Sequence, residues 1–246
     1  MRSDGRKPNQ LRPIRLVPDV IRHAEGSVEI SMGHTRLICT ASVDDRVPKW
    51  LTGSGQGWIS AEYGMLPRST HSRIPREKAL SGGRSQEISR LIGRALRAGV
   101  NLKALGERQI NVDCDVIQAD GGTRTAAVTG GFVALALALK FLQEQGQLKE
   151  NPLSQYIAAI SVGLDGTEPL LDLNYDEDFA CGTDMNFVIA PGGRFVEVQG
   201  TAESGTYSRE QLNKMLDLAV EGCQSLFQQQ AEVIGGYFPL RQNSES

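Results

Sequence analysis

The chain has 246 residues, 40% of them hydrophobic and 22% charged, which is enough to bury a sizeable core in one large unit or two small ones. Lys and Arg number 26 against 29 Asp and Glu, so the formal charge is −3, an average that counts against a general polyanion binder yet can conceal opposed patches. Four scattered cysteines (Cys39, Cys114, Cys181, Cys223), with no Cys-x-x-Cys pair, argue against a disulfide framework or zinc site and for thiols in a reducing compartment.

The opening residues 1–10 are polar and lack the apolar stretch of a signal peptide, so a cytoplasmic protein is expected. Ser27 to Val43 alternates around Gly33-His34 and predicts a hairpin. Leu51 to Pro67, with Gly53, Gly55, Gly57, Trp58 and Tyr63, reads as loop with a short strand. From Ser85, the expected N-cap, Ile88, Leu91, Ile92, Ala95 and Leu96 form one helical stripe, with Arg90, Arg94 and Arg97 off it. Gln109 to Ile117 alternates, placing Ile110, Val112, Cys114 and Val116 on one face of a half-buried strand and Asn111, Asp113 and Asp115 on the other. Asp120-Gly121-Gly122-Thr123-Arg124-Thr125 then leads into an apolar helix over 126–142. Its uncharged run, Thr125 to Leu139, is shorter than the ~20 residues of a membrane span and suits a buried core helix.

Glu144 to Pro152 is polar and is the candidate internal boundary, separating an N-terminal half (about 10–142) from a C-terminal half (about 157–227) within one compact unit, 1–246. Strands are expected near Ile157–Leu164 and Leu170–Asn174, and a hairpin of Met185–Ala190 and Arg194–Gln199 turns at Pro191-Gly192-Gly193. Ser208 and Gln211 make a capping box for a last helix striped by Leu212, Met215, Leu216, Ala219, Val220, Cys223, Leu226 and Phe227. The tail, Arg241–Ser246, is expected to fray. Hairpins joined to a packed helix in each half make the class α+β.

Charge is segregated along the chain. Residues 1–15 carry Arg2, Arg6, Lys7, Arg12 and Arg15 against Asp4 alone. Residues 66–97 carry Arg68, Arg73, Arg76, Lys78, Arg84, Arg90, Arg94 and Arg97 against Glu77 and Glu87. Residues 168–184 carry Glu168, Asp172, Asp176, Glu177, Asp178 and Asp184 with no Lys or Arg. These runs are either solvated faces or a basic surface for a polyanion beside carboxylates for a metal, the pairing found in phosphoryl transfer.

Gly121-Gly122-Thr123-Arg124 lies between a strand and a helix, where glycines admit a ligand to the backbone and free N–H groups of the first turn suit an anion. Taken alone, it is also the pattern of a tight turn with a capping Thr. Gly82-Gly83-Arg84-Ser85 repeats the arrangement at the preceding helix. Asp178 and Asp184 are hard oxygen ligands at a spacing that suits Mg²⁺ or Mn²⁺ or, equally, a solvated acidic loop. Three histidines without ligand spacing and the lack of a Gly-x-Ser-x-Gly elbow count against covalent catalysis, leaving a reaction in which phosphate itself attacks.

Several longer motifs together resemble the ribonuclease PH family. They are Asp-Gly-Arg (4–6), Leu-Arg-Pro (11–13), Glu-Gly-Ser-Val (25–28), Asp-Arg-Val-Pro (45–48), Glu-Tyr-Gly-Met-Leu-Pro-Arg (62–68) and Ser-Arg-Leu-Ile-Gly-Arg-Ala-Leu-Arg (89–97). The most specific is Asp-Cys-Asp-Val-Ile-Gln-Ala-Asp-Gly-Gly-Thr-Arg-Thr (113–125), and Asp-Leu-Asn-Tyr (172–175), Asp-Met-Asn (184–186) and Val-Glu-Val-Gln-Gly-Thr-Ala-Glu (196–203) follow.

The resemblance implies a ribosomal-protein-S5 domain-2-like fold in two similar β/α halves and a homohexamer built as a trimer of dimers. It implies a phosphate-dependent 3′-to-5′ exoribonuclease that trims tRNA precursors, releases nucleoside diphosphates and runs in reverse as a nucleotidyltransferase. It places phosphate binding at Arg84, Gly122, Thr123 and Arg124, metal binding and catalysis at Asp178 and Asp184, and tRNA contacts at Arg68, Arg73 and Arg76. The other arginines of 68–97 and of the N-terminus are expected on RNA backbone or at subunit contacts. Gly182 and Phe179 depart from the family pattern, at positions more often polar and small polar respectively. The alternative is a non-catalytic RNA-binding subunit of an exosome-type ring.

Overall fold

Alternation with period two builds two sheets, and the apolar helix expected at the centre packs against both. The computed structural model describes residues 2, 4–76, 82–203 and 205–240; residues 77–81 of the basic segment and the tail 241–246 lie outside them. The first sheet holds β1 (Ile14–Pro18), β2 (Gly26–Met32), β3 (Thr35–Asp44), β4 (Trp58–Met65) and β5 (Gln109–Gln118), in the order β1-β2-β3-β5-β4. Every pairing in it is antiparallel except β4 with β5. The second is an antiparallel sheet of β6 (Ala158–Asp165), β7 (Glu168–Leu171), β8 (Thr183–Ala190) and β9 (Arg194–Ala202), in the order β7-β6-β8-β9.

Among the described residues the α-helices are α1 (Gly83–Arg97), α2 (Leu102–Leu105), α3 (Thr123–Glu144), α4 (Tyr175–Ala180) and α5 (Arg209–Ile234), with a short 3-10 turn at Lys49–Leu51. α1 packs on β4, α3 on β2, β3 and β6, and α5 on β6 and β7. α3 is long and apolar enough to cross a membrane by composition, but most of its apolar window is buried inside the protein. It lies so close to β2 that a Cβ on Gly26 would come 2.1 Å from the Ala134 carbonyl oxygen. Where α3 meets α5, Phe132, Tyr156 and Phe227 pack ring to ring, and the buried Gln230 amide donates to the carbonyls of Thr129 (3.0 Å) and Ile157 (2.9 Å). One apolar core thus runs through both sheets.

Four expectations need correction. The N-cap of α1 is Gly82, and Ser85 is buried inside the first turn, because that turn packs against β4. The glycine-rich stretch before Pro67 contains a strand of eight residues, since β4 pairs along β5 over its whole length. β7 stops at Leu171 because Asp172 turns into a positive φ of 54° and is drawn wholly into the interior. The acidic stretch around Asp178 is helical: Asn174 and Glu177 form a capping box that nucleates α4, a helix too short to show periodicity.

Candidate active site

The two glycine–arginine helix starts lie near one another, both within reach of Tyr63. At the first, the left-handed φ of +65° at Gly122 ends the loop, and α3 begins with neither a side-chain cap nor an acidic residue in its first turn. Its first N–H groups and the positive end of a 22-residue helix are thus left for an anion. The turn before it can only be glycine, since Gly121 has φ +74° and its Cβ would meet the Leu173 carbonyl oxygen at 2.5 Å. At the second start, α1 likewise lacks a side-chain cap and carries Arg84 exposed in its first turn.

Tyr63 couples the two starts. Its N–H donates to Ser89 Oγ (2.9 Å), whose hydroxyl bonds the Ser85 carbonyl (2.8 Å), and its phenol shares a hydrogen bond with Thr123 Oγ1 (2.7 Å). Burial pushes the phenol above its usual range, opposed by the Thr123 bond and by the nearby charges of Arg84 and Arg124. Arg124 reaches across to β9, donating to Gln199 Oε1 (3.1 Å) and lying 3.4 Å from Glu87 Oε1.

The carboxylates come from the second sheet. Asp184 on β8 pairs with Thr201 on β9, and Asn186 pairs with Gln199, so these four share the face that Arg124 touches. Asp178 projects from α4 beside them. Partial desolvation and then the like charge of Asp184 raise its carboxyl above the ordinary range; Arg84 and Arg124 pull it down, and Glu203 adds a little to the rise. That balance places Arg84, Arg124 and Asp184 within electrostatic reach of Asp178. The donor set suits Mg²⁺ or Mn²⁺, which bind through one or two carboxylates and complete their shell with water and phosphate oxygen. Among the described residues no group of three or more His, Cys, Asp or Glu gathers as a complete protein cage.

The N-terminal arginines have a different place from the one expected of them. Arg2, Arg6 and Arg12 are buried, and none is available to RNA. Arg2 makes a two-pronged pair with Glu177 (2.7 Å each) and Arg12 another with Asp172 (3.0 and 2.6 Å). Arg6 bonds both Glu177 and Asp4. Asp172 and Glu177 are thereby removed from the acidic cluster, because a buried carboxylate needs a partner. Arg12 also donates to the carbonyls of Asp120 and Gly121, bracing the glycine loop from behind. In α1, Arg94 pairs with Glu197 (2.7 Å) and Arg97 lies over the Trp58 ring while donating to the Ile59 carbonyl (2.7 Å). Arg68, Arg73 and Arg76 are exposed on the loop leading to α1. Tyr63, Gln199 and the bracing role of Arg12 were not anticipated by the sequence motifs; the alternation of Val196 to Gly200 was the one available signal, for Gln199.

Two arginine-bearing helix starts near a carboxylate pair, on an α+β fold, are chemistry suited to a protein that handles phosphate esters. The comparisons with known proteins agree. The 3′ exoribonuclease family matches over both its parts, domain 1 at residues 10–140 and domain 2 at residues 155–222. The chain is 60% identical to ribonuclease PH of Bdellovibrio bacteriovorus over 98% of this chain and 99% of that one. It is 56% identical to ribonuclease PH of Bacillus subtilis over 97% and 99%. Solved structures with the same fold include rice (Oryza sativa) Rrp46, at TM-score 0.76, 20% identity, 95% of this chain and 100% of that one. An Archaeoglobus fulgidus exosome with RNA bound to the active site gives TM-score 0.80, 19% identity and coverages of 92% and 91%. The chain belongs to the 3′ exoribonuclease family, on the ribonuclease PH side of it.

Proposed function

We propose that the chain is a phosphate-dependent 3′-to-5′ exoribonuclease that trims the 3′ ends of tRNA precursors and other RNAs. Inorganic phosphate attacks the last phosphodiester, the terminal nucleotide leaves as a nucleoside diphosphate, and the shortened RNA keeps a 3′-hydroxyl; the reverse reaction adds nucleotides. The observation that carries this reading is a set of contacts around the open start of α3: Tyr63 bonds Thr123, Arg124 bonds Gln199 on the face of β8 and β9 that carries Asp184, and the charges of Arg84 and Arg124 act on Asp178. The non-catalytic ring subunit is not favoured, since all five groups are present and the chain is 56–60% identical to ribonucleases PH.

Arg84, Arg124 and the open N–H groups after Gly122 hold the attacking phosphate, with the Thr123 hydroxyl oriented by Tyr63. The attacking oxygen is already anionic, so no protein base is required. Positioning two anions against each other is the main cost, and the guanidinium groups offset it by fixing geometry and screening repulsion. Asp178 and Asp184 would hold Mg²⁺ or Mn²⁺, which stabilises charge on the phosphoryl oxygens and the departing 3′-oxygen. Arg68, Arg73 and Arg76 contact the RNA backbone. The two halves act as one unit, and the subunits close as a homohexamer, a trimer of dimers, in the cytoplasm.

Incubation with a short RNA, Mg²⁺ and inorganic phosphate, followed by chromatography, tests the reaction. Nucleoside diphosphates released only in the presence of phosphate are expected; monophosphates, or turnover indifferent to phosphate, overturn it. Asp184→Asn is expected to abolish turnover while RNA still binds, and retained activity removes Asp184 from the chemistry.

A further inference from the structure

The face of α4 beside Asp178 is aromatic and open. Phe179 is 82% exposed and Tyr175 47% exposed, although aromatic rings gain by burial. As residues i and i+4 they share one side of the helix, and their rings stack with centroids 6.4 Å apart at 20°. The His71 ring, from the arginine-rich segment, lies 5.7 Å from Tyr175, tilted by 59° to it. Three rings are therefore linked through Tyr175, and Phe179 is the one most presented to solvent.

Position and charge identify the occupant. Asp178 directly precedes Phe179, and the Tyr175 N–H donates to Asp120 Oδ1 (3.2 Å) at the head of the glycine loop, so these rings adjoin the proposed phosphate site. Arg68 donates to the His71 carbonyl (3.0 Å), and Arg68, like Arg73 and Arg76 in the same segment, is exposed. Flat rings bordered by guanidinium groups suit single-stranded nucleic acid, whose bases all have a π face and whose phosphates seek cations.

We propose that Phe179 and Tyr175 form a stacking platform for unpaired bases next to the RNA 3′ end. The platform grips any base sequence, requires an unstacked single strand, and delivers the terminal phosphodiester to Asp178 and Asp184. This rests on the phosphorolysis reading of the site.

The test is equilibrium binding, without phosphate, of a short oligoadenylate carrying 2-aminopurine at successive 3′ positions. The wild type quenches the probe at one or more positions. Phe179→Ala loses that quenching and binds roughly 5- to 150-fold more weakly, the range for removing one base–aromatic stack, and Phe179→Trp restores both. RNA abasic at the quenched position binds the wild type and Phe179→Ala equally. Unchanged quenching and affinity in Phe179→Ala overturn the platform. Equal weakening for intact and abasic RNA also overturns it and, if gel filtration shows an altered oligomer, assigns the rings to a subunit contact. A wild type that quenches the probe yet releases no nucleoside diphosphate on adding phosphate and Mg²⁺ overturns the phosphorolysis reading alone.

Discussion

Replacing Arg12 by Met tests whether the N-terminal arm braces the site. Asp172 is wholly buried, and its carboxylate accepts from Arg12 Nε (3.0 Å), Arg12 Nη2 (2.6 Å) and the Arg12 backbone N–H (2.8 Å). Breaking a buried pair by removing one partner costs about 3–5 kcal/mol, because the remaining charge is left uncompensated. The backbone donor survives the substitution, and Arg6 stays 3.7 Å away. The expected loss is therefore about 3 kcal/mol, at the low end of that range. Adding Asp172→Asn removes the stranded charge, and Asn tolerates the positive φ at that position, so the double variant is expected to be more stable than Arg12→Met alone. Urea midpoints at fixed protein concentration, with unchanged slopes, measure both. Arg12 also ties down the carbonyls of Asp120 and Gly121, so the KM for phosphate rises in Arg12→Met. A single variant within about 0.5 kcal/mol of wild type, or a double variant that loses the sum of both singles, refutes the reasoning.

Glu177 gives a pH signature. Burial alone would raise its carboxyl, but hydrogen bonds from Arg2 and the Asn174 N–H, with the charges of Arg2 and Arg6, hold it below the ordinary range. Its contribution is thus complete above the unfolded carboxylate range and disappears as pH falls through the lower folded value; thermal melts between neutral and acid pH should show this, and Glu177→Gln should flatten the slope. Gly121→Ala places a Cβ 2.5 Å from the Leu173 carbonyl at a φ of +74°, so a stability loss and a raised phosphate KM are expected, measured by melting and initial rates. Replacing Arg68, Arg73 and Arg76 together by Gln should flatten the plot of log affinity against log salt for single-stranded RNA by about 0.7 for each phosphate no longer neutralised; an unchanged slope places them off the RNA path.

Local patterns in the chain foretold much of this architecture. Alternation located the β2–β3 hairpin and β5, with Ile110, Val112, Cys114 and Val116 buried as read. The Ser208–Gln211 capping box opens α5, and Pro191-Gly192-Gly193 turns β8 into β9. These signals survive because capping, turn chemistry and binary pattern act within a few residues of the chain. The open helix start after Gly122 was legible for the same reason: two glycines, a Thr and an Arg at a strand–helix junction are a local arrangement.

Charge was not legible in this way. An arginine on the surface and one paired in the interior are the same letter, and only the folded chain shows that Arg2, Arg6 and Arg12 are buried against Asp172 and Glu177. The basic N-terminus and the acidic stretch, taken apart as an RNA-facing segment and a metal-holding one, in large part neutralise each other. Outside those buried pairs stand Arg84 and Arg124, whose charges act on Asp178 beside Asp184. Residues more than 50 positions apart meet there because the core helix and the two sheets bring their ends together, and a long-range pairing of that kind has no signature along the sequence.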